Sequence, residues 1–259
     1  MENQHPPARP RPRGIYLLPN LFTSGGLFAG FYAIIAATQG RFSEASIAVF
    51  IAAVLDGLDG RIARMTGTQS DFGVQYDSLA DLVSFGMAPA LVMYHWALVE
   101  LQFDGPLPGK LGWAAAFLYA ACAALRLARF NTQVGVVDKR WFIGLSSPAA
   151  AAVMMSFIWT LDSRLHLNGG QVRWIALGIT VVAGLLMVSR IRYFSFKSLP
   201  FGGRVPFVTV LLALGLLVLL AIDTAPVLLV GFSIYLLSGP AYWLWNRTRR
   251  NRQPPAASG

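Results

Sequence analysis

The amino-acid sequence predicts an all-α integral membrane protein with about eight transmembrane helices. Of its 259 residues, 55% are hydrophobic and only 13% are charged, whereas charged residues make up about 25% of a typical soluble domain. Several apolar stretches approach about 20 residues, the length that crosses the hydrocarbon core of a bilayer. These stretches are too long and too little alternating for the strands of a transmembrane barrel, so helices are the expected spanning elements.

The hydropathy pattern places spans at about 16–38, 42–65, 76–100, 111–131, 144–162, 171–190, 205–223 and 226–245. The segments before and after them, residues 1–14 and 247–259, are basic and polar, and we expect both to be disordered arms. The single cysteine, Cys122, excludes an intrachain disulfide framework and a cysteine-rich metal site.

The basic residues lie between the apolar spans, so the net charge of +9 indicates membrane topology and no nucleic-acid partner is expected. With the N-terminus in the cytoplasm, 17 of the 21 basic residues fall on the cytoplasmic side. The four on the outer side are Arg41, Lys110, Arg164 and Arg173. This asymmetry predicts a multi-pass membrane protein with both termini and the site described next on the cytoplasmic side. We expect the membrane to be the bacterial inner membrane on the resemblance given below.

Four of the 12 acidic residues fall in the run VLDGLDGRIARMTGTQSDFGVQYDSLADLVSFG, as Asp56, Asp59, Asp77 and Asp81. Carboxylates at membrane depth are expensive unless they are paired, hydrated or bound to metal. The spacings i, i+3 and i, i+4 put each pair on one face of a helix. Two such helices facing each other would bring four oxygen donors into one small volume, which suits Mg²⁺ or Mn²⁺.

The same run has the pattern D-x2-D-G-x2-A-R-x8-G-x3-D-x3-D. Gly60 has no side chain, so a ligand could approach the backbone closely there. Arg64 lies one helical turn further on and offers a fixed charge with forked donors, which suits a phosphate. Gly73 could let the turn between the two helices tighten.

This pattern resembles the signature of the CDP-alcohol phosphatidyltransferase family, and the resemblance covers roughly residues 15–200. It implies a core of six helices over 15–200 around a polar cavity open to the cytoplasm, followed by two additional helices over 201–246. It also implies two divalent cations, Mg²⁺ or Mn²⁺, at the four aspartates, with Asp81 serving in addition as the general base.

The resemblance further implies which residues contact the CDP-lipid. They are Gly60 and Arg64 on the second span, Ser70 and Gly73 in the segment that connects it to the third, and Asn20 and Thr23 in the PNLFT motif of the first span.

Four more segments resemble the branch of the family that uses serine as the acceptor: DSLADLVSFGMAPA, ALRLARFNTQ, FIGLSSPAAAA and MVSRIRYFSFK. They imply transfer of the phosphatidyl group of CDP-diacylglycerol to the hydroxyl of L-serine, with release of CMP, by a homodimer in contact with membrane lipid. One departure is Ser146, which stands where this branch commonly has proline. The serine carboxylate needs a cation, for which we favour Arg129, Arg190, Arg192 and Lys197, although topology alone also explains such basic clusters.

Two alternatives remain open at this stage. The acceptor could be glycerol 3-phosphate, inositol phosphate or choline. A non-catalytic ion transporter would also explain intramembrane carboxylates, but it would not explain Gly60, Ala63, Arg64 and Gly73 at fixed spacing.

Overall fold

The structure is a computed structural model that describes residues 17–68, 70–132, 141–194 and 207–250. Its long helices are α1 (Leu17–Thr38), α2 (Phe42–Thr66), α3 (Asp71–Asp81), α4 (Ala88–Trp96), α5 (Pro106–Thr132), α6 (Ser147–Ser163), α7 (Arg173–Val188), α8 (Phe207–Ile222) and α9 (Thr224–Arg250). A π-helical segment, Leu82–Met87, joins α3 to α4, and a 3₁₀ helix, Leu98–Asp104, follows α4. Another short 3₁₀ helix, Gly169–Gln171, precedes α7.

The predicted all-α membrane class is confirmed. Each predicted span coincides with a helix or with a run of joined helices, and four of these in the described residues are long and apolar enough to cross a membrane. The largest boundary differences lie at the starts of the third and fourth spans, where α3 begins at Asp71 and α5 at Pro106, and at the end of the last span, where α9 continues to Arg250 into the segment predicted to be a disordered arm. Hydropathy misses both starts because these helices extend beyond their apolar stretches into polar sequence.

Small residues allow the helices of the core to pack closely. Ala33 and Ala36 of α1 and Ala45 and Ala52 of α2 are almost fully buried where the two helices meet. α6 is the central helix, because its residues are buried nearly throughout, including Ala150. In lipid there is no hydrophobic driving force between helices. Close packing of their backbones is therefore a main source of helix association.

The last two helices differ in their surroundings. α8 has no buried residue, as expected of a helix that faces lipid on most sides. α9 packs against α6, and its Phe232 ring lies 6.3 Å from the ring of Phe50 on α2. α9 is therefore part of the packed bundle.

The π-helical segment is anchored on both sides. Ser84 donates a hydrogen bond from Oγ to the carbonyl oxygen of Gly26 on α1, at 3.1 Å. On the other side Tyr119 of α5 donates from its hydroxyl to the carbonyl oxygen of Phe85, also at 3.1 Å. π-helical turns leave the regular hydrogen-bond ladder and often occur at functional sites. This one begins directly after Asp81, so the two anchors also fix the end of α3.

A short antiparallel ribbon at one end of the bundle was not expected from the sequence. Strand β1 (Trp141–Ile143) pairs with β2 (Arg192–Phe194), and Gly144 follows β1 with φ of 82°. A Cβ atom at Gly144 would overlap the carbonyl oxygen of Met187, so this position requires glycine.

Ser146 caps α6, because its Oγ accepts a hydrogen bond from the Ala149 amide at 3.4 Å. The serine that stands where the related sequences commonly have proline therefore has a local role.

At the other end of the bundle, three of the four basic residues predicted to lie outside are ion-paired. Arg41 pairs with Glu44 at 2.8 Å, Arg164 with Asp223 at 3.0 Å, and Arg173 with Asp104 at 2.5 Å. All six partners are at least partly exposed, so each pair contributes little to stability. The pairs reduce the positive charge at the end that the topology prediction assigns to the outside.

We expect Gly30→Ala to destabilise the bundle. A Cβ atom there would lie 2.8 Å from Ser84 Cα and 2.7 Å from its Oγ, so α1 and the π-helical segment would have to separate. Overpacking of this kind costs about 1–3 kcal/mol. The matched control is Gly178→Ala on α7, where a Cβ atom meets nothing within 4 Å. Thermal unfolding in detergent should show a lower midpoint for Gly30→Ala only; equal midpoints would contradict this packing.

Candidate active site

The turn between α2 and α3 reverses the chain so that the two helices face each other. α2 ends at Gly67, whose left-handed conformation (φ 62°, ψ 31°) directs its amide to the carbonyl oxygen of Ala63. α3 starts at Ser70, whose Oγ accepts a hydrogen bond from the amide of Gly73 at 3.0 Å. A C-cap and an N-cap so close together leave little freedom in the angle between the helices, which sets the distance between their acidic faces.

The acidic faces of α2 and α3 meet. Asp56, Asp59 and Asp77 each offer a carboxylate oxygen, and these oxygens lie within 4.8 Å of one another. Asp81 lies one turn beyond Asp77, within hydrogen-bonding distance of Asp56. All four aspartates line a small cavity of about 10 Å³, together with Thr23 and Ser84. The donor set consists of hard carboxylate oxygens, which fits Mg²⁺ or Mn²⁺ and not a soft metal.

Helix α1 supplies the hydrogen bonds that orient this cluster. Thr23 is buried and donates from Oγ1 to Oδ2 of Asp59 at 2.7 Å. Asp59 is itself only 5% exposed. One residue along α1, the Ser24 hydroxyl lies 2.8 Å from the hydroxyl of Tyr76 on α3. The first helix therefore contacts both acid-bearing helices, and Thr23 fixes the orientation of one carboxylate.

A larger cavity of about 480 Å³ adjoins the cluster and shares Thr23, Asp59 and Asp77 with it. All six residues that the sequence assigned to the CDP-lipid line this cavity: Asn20, Thr23, Gly60, Arg64, Ser70 and Gly73. Its volume falls in the range of about 300–1,000 Å³ that is typical of ligand sites. The structure thus brings the acidic cluster and a cationic side chain to the two sides of one cleft.

The two glycines of this cavity keep space open for different reasons. A Cβ atom at Gly73 would lie 3.2 Å from Ser70 Oγ and 3.6 Å from Asn20 Oδ1, so it would crowd the helix cap. A Cβ atom at Gly60 would lie 3.6 Å from Nη1 of Arg64. The Arg64 guanidinium therefore lies over Gly60, beside a backbone that a ligand can approach closely.

The residues that the sequence suggested for the serine carboxylate have varied positions. Arg129 is half-buried on α5, and Arg190 is exposed after α7. Arg192 lies in β2, but its side chain is outside the described residues, as is Lys197. The structure does not bring these four candidates into one described cluster.

Two side chains near the acids were not among the site residues that the sequence analysis favoured. Arg126 of α5 donates from Nη1 to Oγ of Ser147 at 2.7 Å and lies within electrostatic range of Asp81. Arg126 lies at the basic end of a span, where topology alone explains a positive charge. Its place in the resembling segment ALRLARFN was the sequence feature that could have identified it. Ser84, in the π-helical segment, lines the small cavity with the aspartates, and only its place in the resembling segment DSLADLVSFG marked it.

These features define a helical membrane protein with a carboxylate cluster and an adjoining ligand cavity at one end of its bundle. The model of the family described as CDP-alcohol phosphatidyltransferase matches residues 16–186, about two thirds of the sequence. The chain belongs to this family.

Curated relatives extend the similarity over most of the chain. A protein of Helicobacter pylori J99 named CDP-diacylglycerol–serine O-phosphatidyltransferase is 38% identical over 231 residues, which are 89% of this chain and 92% of that protein. A protein of the same name from Mycobacterium leprae is 35% identical over 71% of this chain and 61% of its own length. An archaetidylserine synthase of Methanothermobacter thermautotrophicus is 34% identical over 68% of this chain and 69% of its own length.

We expect Thr23→Val to weaken divalent-cation binding. Valine keeps the shape of threonine but removes the hydroxyl that donates to Asp59, and losing such a supporting hydrogen bond typically costs about 10- to 100-fold in metal affinity. Calorimetric titration of the purified protein with Mn²⁺ measures this directly. Thr23→Ser keeps the hydroxyl and is the matched control. Equal affinities for the valine and serine variants would show that the hydrogen bond does not support the cluster.

Proposed function

We propose that the protein transfers the phosphatidyl group of CDP-diacylglycerol to the hydroxyl of L-serine, giving phosphatidylserine and CMP. The observation that carries this proposal is the Helicobacter pylori relative, named for that reaction, which is 38% identical over 89% of this chain. The archaetidylserine synthase supports the choice of acceptor, because the two names share serine while the lipid differs.

Asp56, Asp59, Asp77 and Asp81 are the side chains that would hold two divalent cations, Mg²⁺ or Mn²⁺. Four carboxylates carry about as much negative charge as two such ions carry positive charge. When bound, the ions would neutralise the diphosphate and stabilise charge on the leaving oxygen. Thr23 holds the Asp59 carboxylate in place through its 2.7 Å hydrogen bond.

The 480 Å³ cavity is where the cytidine diphosphate end of the lipid would bind. Arg64 contributes the charge and the forked donors that a phosphate needs. Gly60 and Gly73 leave room for the ligand, while Asn20, Thr23 and Ser70 offer polar atoms along the wall. Substrate position is then fixed before the reaction, which is the main contribution a binding site makes to a displacement of this kind.

Asp81 is the proposed general base. Its carboxylate takes the proton from the serine hydroxyl as that oxygen attacks the lipid-linked phosphorus. The new bond joins serine oxygen to phosphorus, and the bond between this phosphorus and the oxygen of CMP breaks. Asp81 lies on the side of the cluster away from Arg64, because it lines the small cavity and Arg64 lines the large one. Acceptor and nucleotide can therefore approach the cluster from different sides.

The charge distribution supports a position in the bacterial inner membrane with both termini and the acidic site facing the cytoplasm. Water-soluble serine and CMP would then enter and leave from the compartment where nucleotides are available, and the lipid substrate would enter from the bilayer. A homodimer is also part of this proposal, on the family resemblance alone.

We expect purified protein supplied with CDP-diacylglycerol and Mn²⁺ or Mg²⁺ to incorporate labelled L-serine into lipid and to release an equal amount of CMP. Labelled glycerol 3-phosphate, inositol phosphate and choline, supplied separately under the same conditions, should not enter lipid. Incorporation of one of them in place of serine would replace the proposed acceptor. Absence of acceptor-dependent CMP release with every alcohol would reject the transferase activity.

We expect Asp81→Asn to lower serine-dependent CMP release by at least about 100-fold, because general base catalysis alone typically contributes about 10²–10⁴-fold. The matched control is Asp162→Asn, at the opposite end of the bundle, where the aspartate accepts a hydrogen bond from Ser43 that asparagine can also accept. Initial rates at saturating substrates compare the two variants. A turnover for Asp81→Asn close to that of the control would exclude Asp81 as the base.

A further inference from the structure

We propose that Arg126, Ser147 and Tyr235 form the subsite for the carboxylate of the acceptor, and that α9 completes this subsite. The inference rests on the proposed function, since it assigns a binding role within the same reaction. Its three side chains come from three different helices, α5, α6 and α9. Arg126 links them, because it donates to Ser147 and lies within electrostatic range of both Tyr235 and Asp81.

Arg126 carries a donor that no residue in the described part of the chain uses. Its Nη1 donates to Oγ of Ser147 at 2.7 Å, but its Nε is buried with no hydrogen-bond partner among the described residues. Buried polar atoms are almost always paired, and a lone donor on a charged group is especially costly. A bidentate carboxylate engages Nε together with a terminal nitrogen of the same guanidinium. The Arg126 side chain as a whole is only half-buried, so a small rotation opens that edge to a ligand.

The dimensions of serine limit where the cation for its carboxylate can lie. In L-serine two carbon atoms separate the hydroxyl oxygen from the carboxylate carbon, so the two groups are a few ångströms apart. A cation that binds the carboxylate while Asp81 takes the hydroxyl proton must therefore lie in the same part of the site as Asp81. Arg126 is the choice for this role because it interacts electrostatically with Asp81 and lies on the helix whose end carries Arg129.

Tyr235 closes the subsite from α9. It lies within electrostatic range of Arg126, and its ring is 5.5 Å from that of Tyr193 on β2. Tyr193 is almost fully buried and donates from its hydroxyl to the carbonyl oxygen of Leu236 at 3.1 Å. A Cβ atom at Gly239 would overlap the Tyr193 ring, so α9 can sit this close only with glycine there. The contacts of Tyr193 with α9 thus fix the position of α9 relative to the ribbon. They also fix the position of the Tyr235 hydroxyl.

α9 lies outside the part of the chain that matches the family model, which ends at residue 186. A side chain that selects among acceptor alcohols is expected to vary between family members that catalyse the same reaction. Tyr235 of α9 is such a side chain. The subsite suits a carboxylate beside a hydroxyl. An acceptor without an acid group would leave the Arg126 donor unpaired.

The test is a steady-state comparison of Michaelis constants for serine and for CDP-diacylglycerol. We expect Arg126→Gln to raise the KM for serine by about 10- to 100-fold and Tyr235→Phe by about 10-fold, as loss of a charge-assisted hydrogen bond predicts. The KM for CDP-diacylglycerol should stay within about twofold of the wild-type value in both. The matched control is Lys110→Gln, which removes a charge from the exposed, opposite end of the same helix.

An unchanged serine KM in both variants overturns the subsite, as does an equal rise in the two Michaelis constants. If Arg126→Gln does not fold as a monodisperse protein in detergent, Tyr235→Phe decides alone, because it keeps the ring that packs against Tyr193. The wild-type protein separates this inference from the proposed function. Serine-dependent CMP release with unchanged KM values in the variants rejects only the subsite, whereas no serine-dependent release rejects both.

Discussion

Four carboxylates share a small volume at the end of a membrane bundle, and the surrounding structure is arranged to hold them together. Like charges at such separations repel, and burial removes the water that would otherwise screen them. Bound divalent cations would offset this repulsion, and contacts from outside the cluster set the distance between α2 and α3. The C-cap at Gly67 and the N-cap at Ser70 restrain it at one end. Thr23 and Ser24 on α1 attach to the two helices separately.

The same constraint accounts for the irregular helix that follows Asp81. A regular α-helix could continue from α3 into α4, but the π-helical segment turns Ser84 towards α1 and directs the carbonyl of Phe85 to Tyr119. Without these contacts the hydroxyls of Ser84 and Tyr119 would lack a hydrogen-bond acceptor at membrane depth. Gly30 permits the contact with α1, because a Cβ atom there would collide with Ser84. The backbones of α1 and the π-helical segment are therefore about as close as two backbones can come. The segment that follows Asp81 is therefore anchored on both sides, which favours a preorganised site.

The sequence predicted the fold class, the spans and the aspartate cluster because each depends on local information. Hydropathy over about 20 residues marks a span, and spacings of three and four residues place side chains on one face. To predict that Asp56, Asp59 and Asp77 lie close together, only one further condition was needed: α2 and α3 must face each other. The short connection between the two helices favours this arrangement. The β1–β2 ribbon escaped prediction because its six residues pair across about 50 positions of chain, a separation that no local pattern reports.

Arg126 shows a different limit, because its sequence signal was visible but had two explanations. A basic residue at the end of a span is the ordinary mark of topology, and Arg129 and Arg190 carry the same mark. What distinguishes Arg126 is its environment: a hydrogen bond to the first turn of α6, an Nε that finds no partner within the described ranges, and Tyr235 more than a hundred residues later. None of these is encoded near position 126. On the proposed assignment, the residues for the phosphate chemistry come from a contiguous motif, while those for the acceptor come from helices brought together only by folding. Such a division is physically expected in a family that keeps one reaction and varies the alcohol: the proposed metal ligands could not change without loss of the reaction, whereas the side chains around the acceptor could.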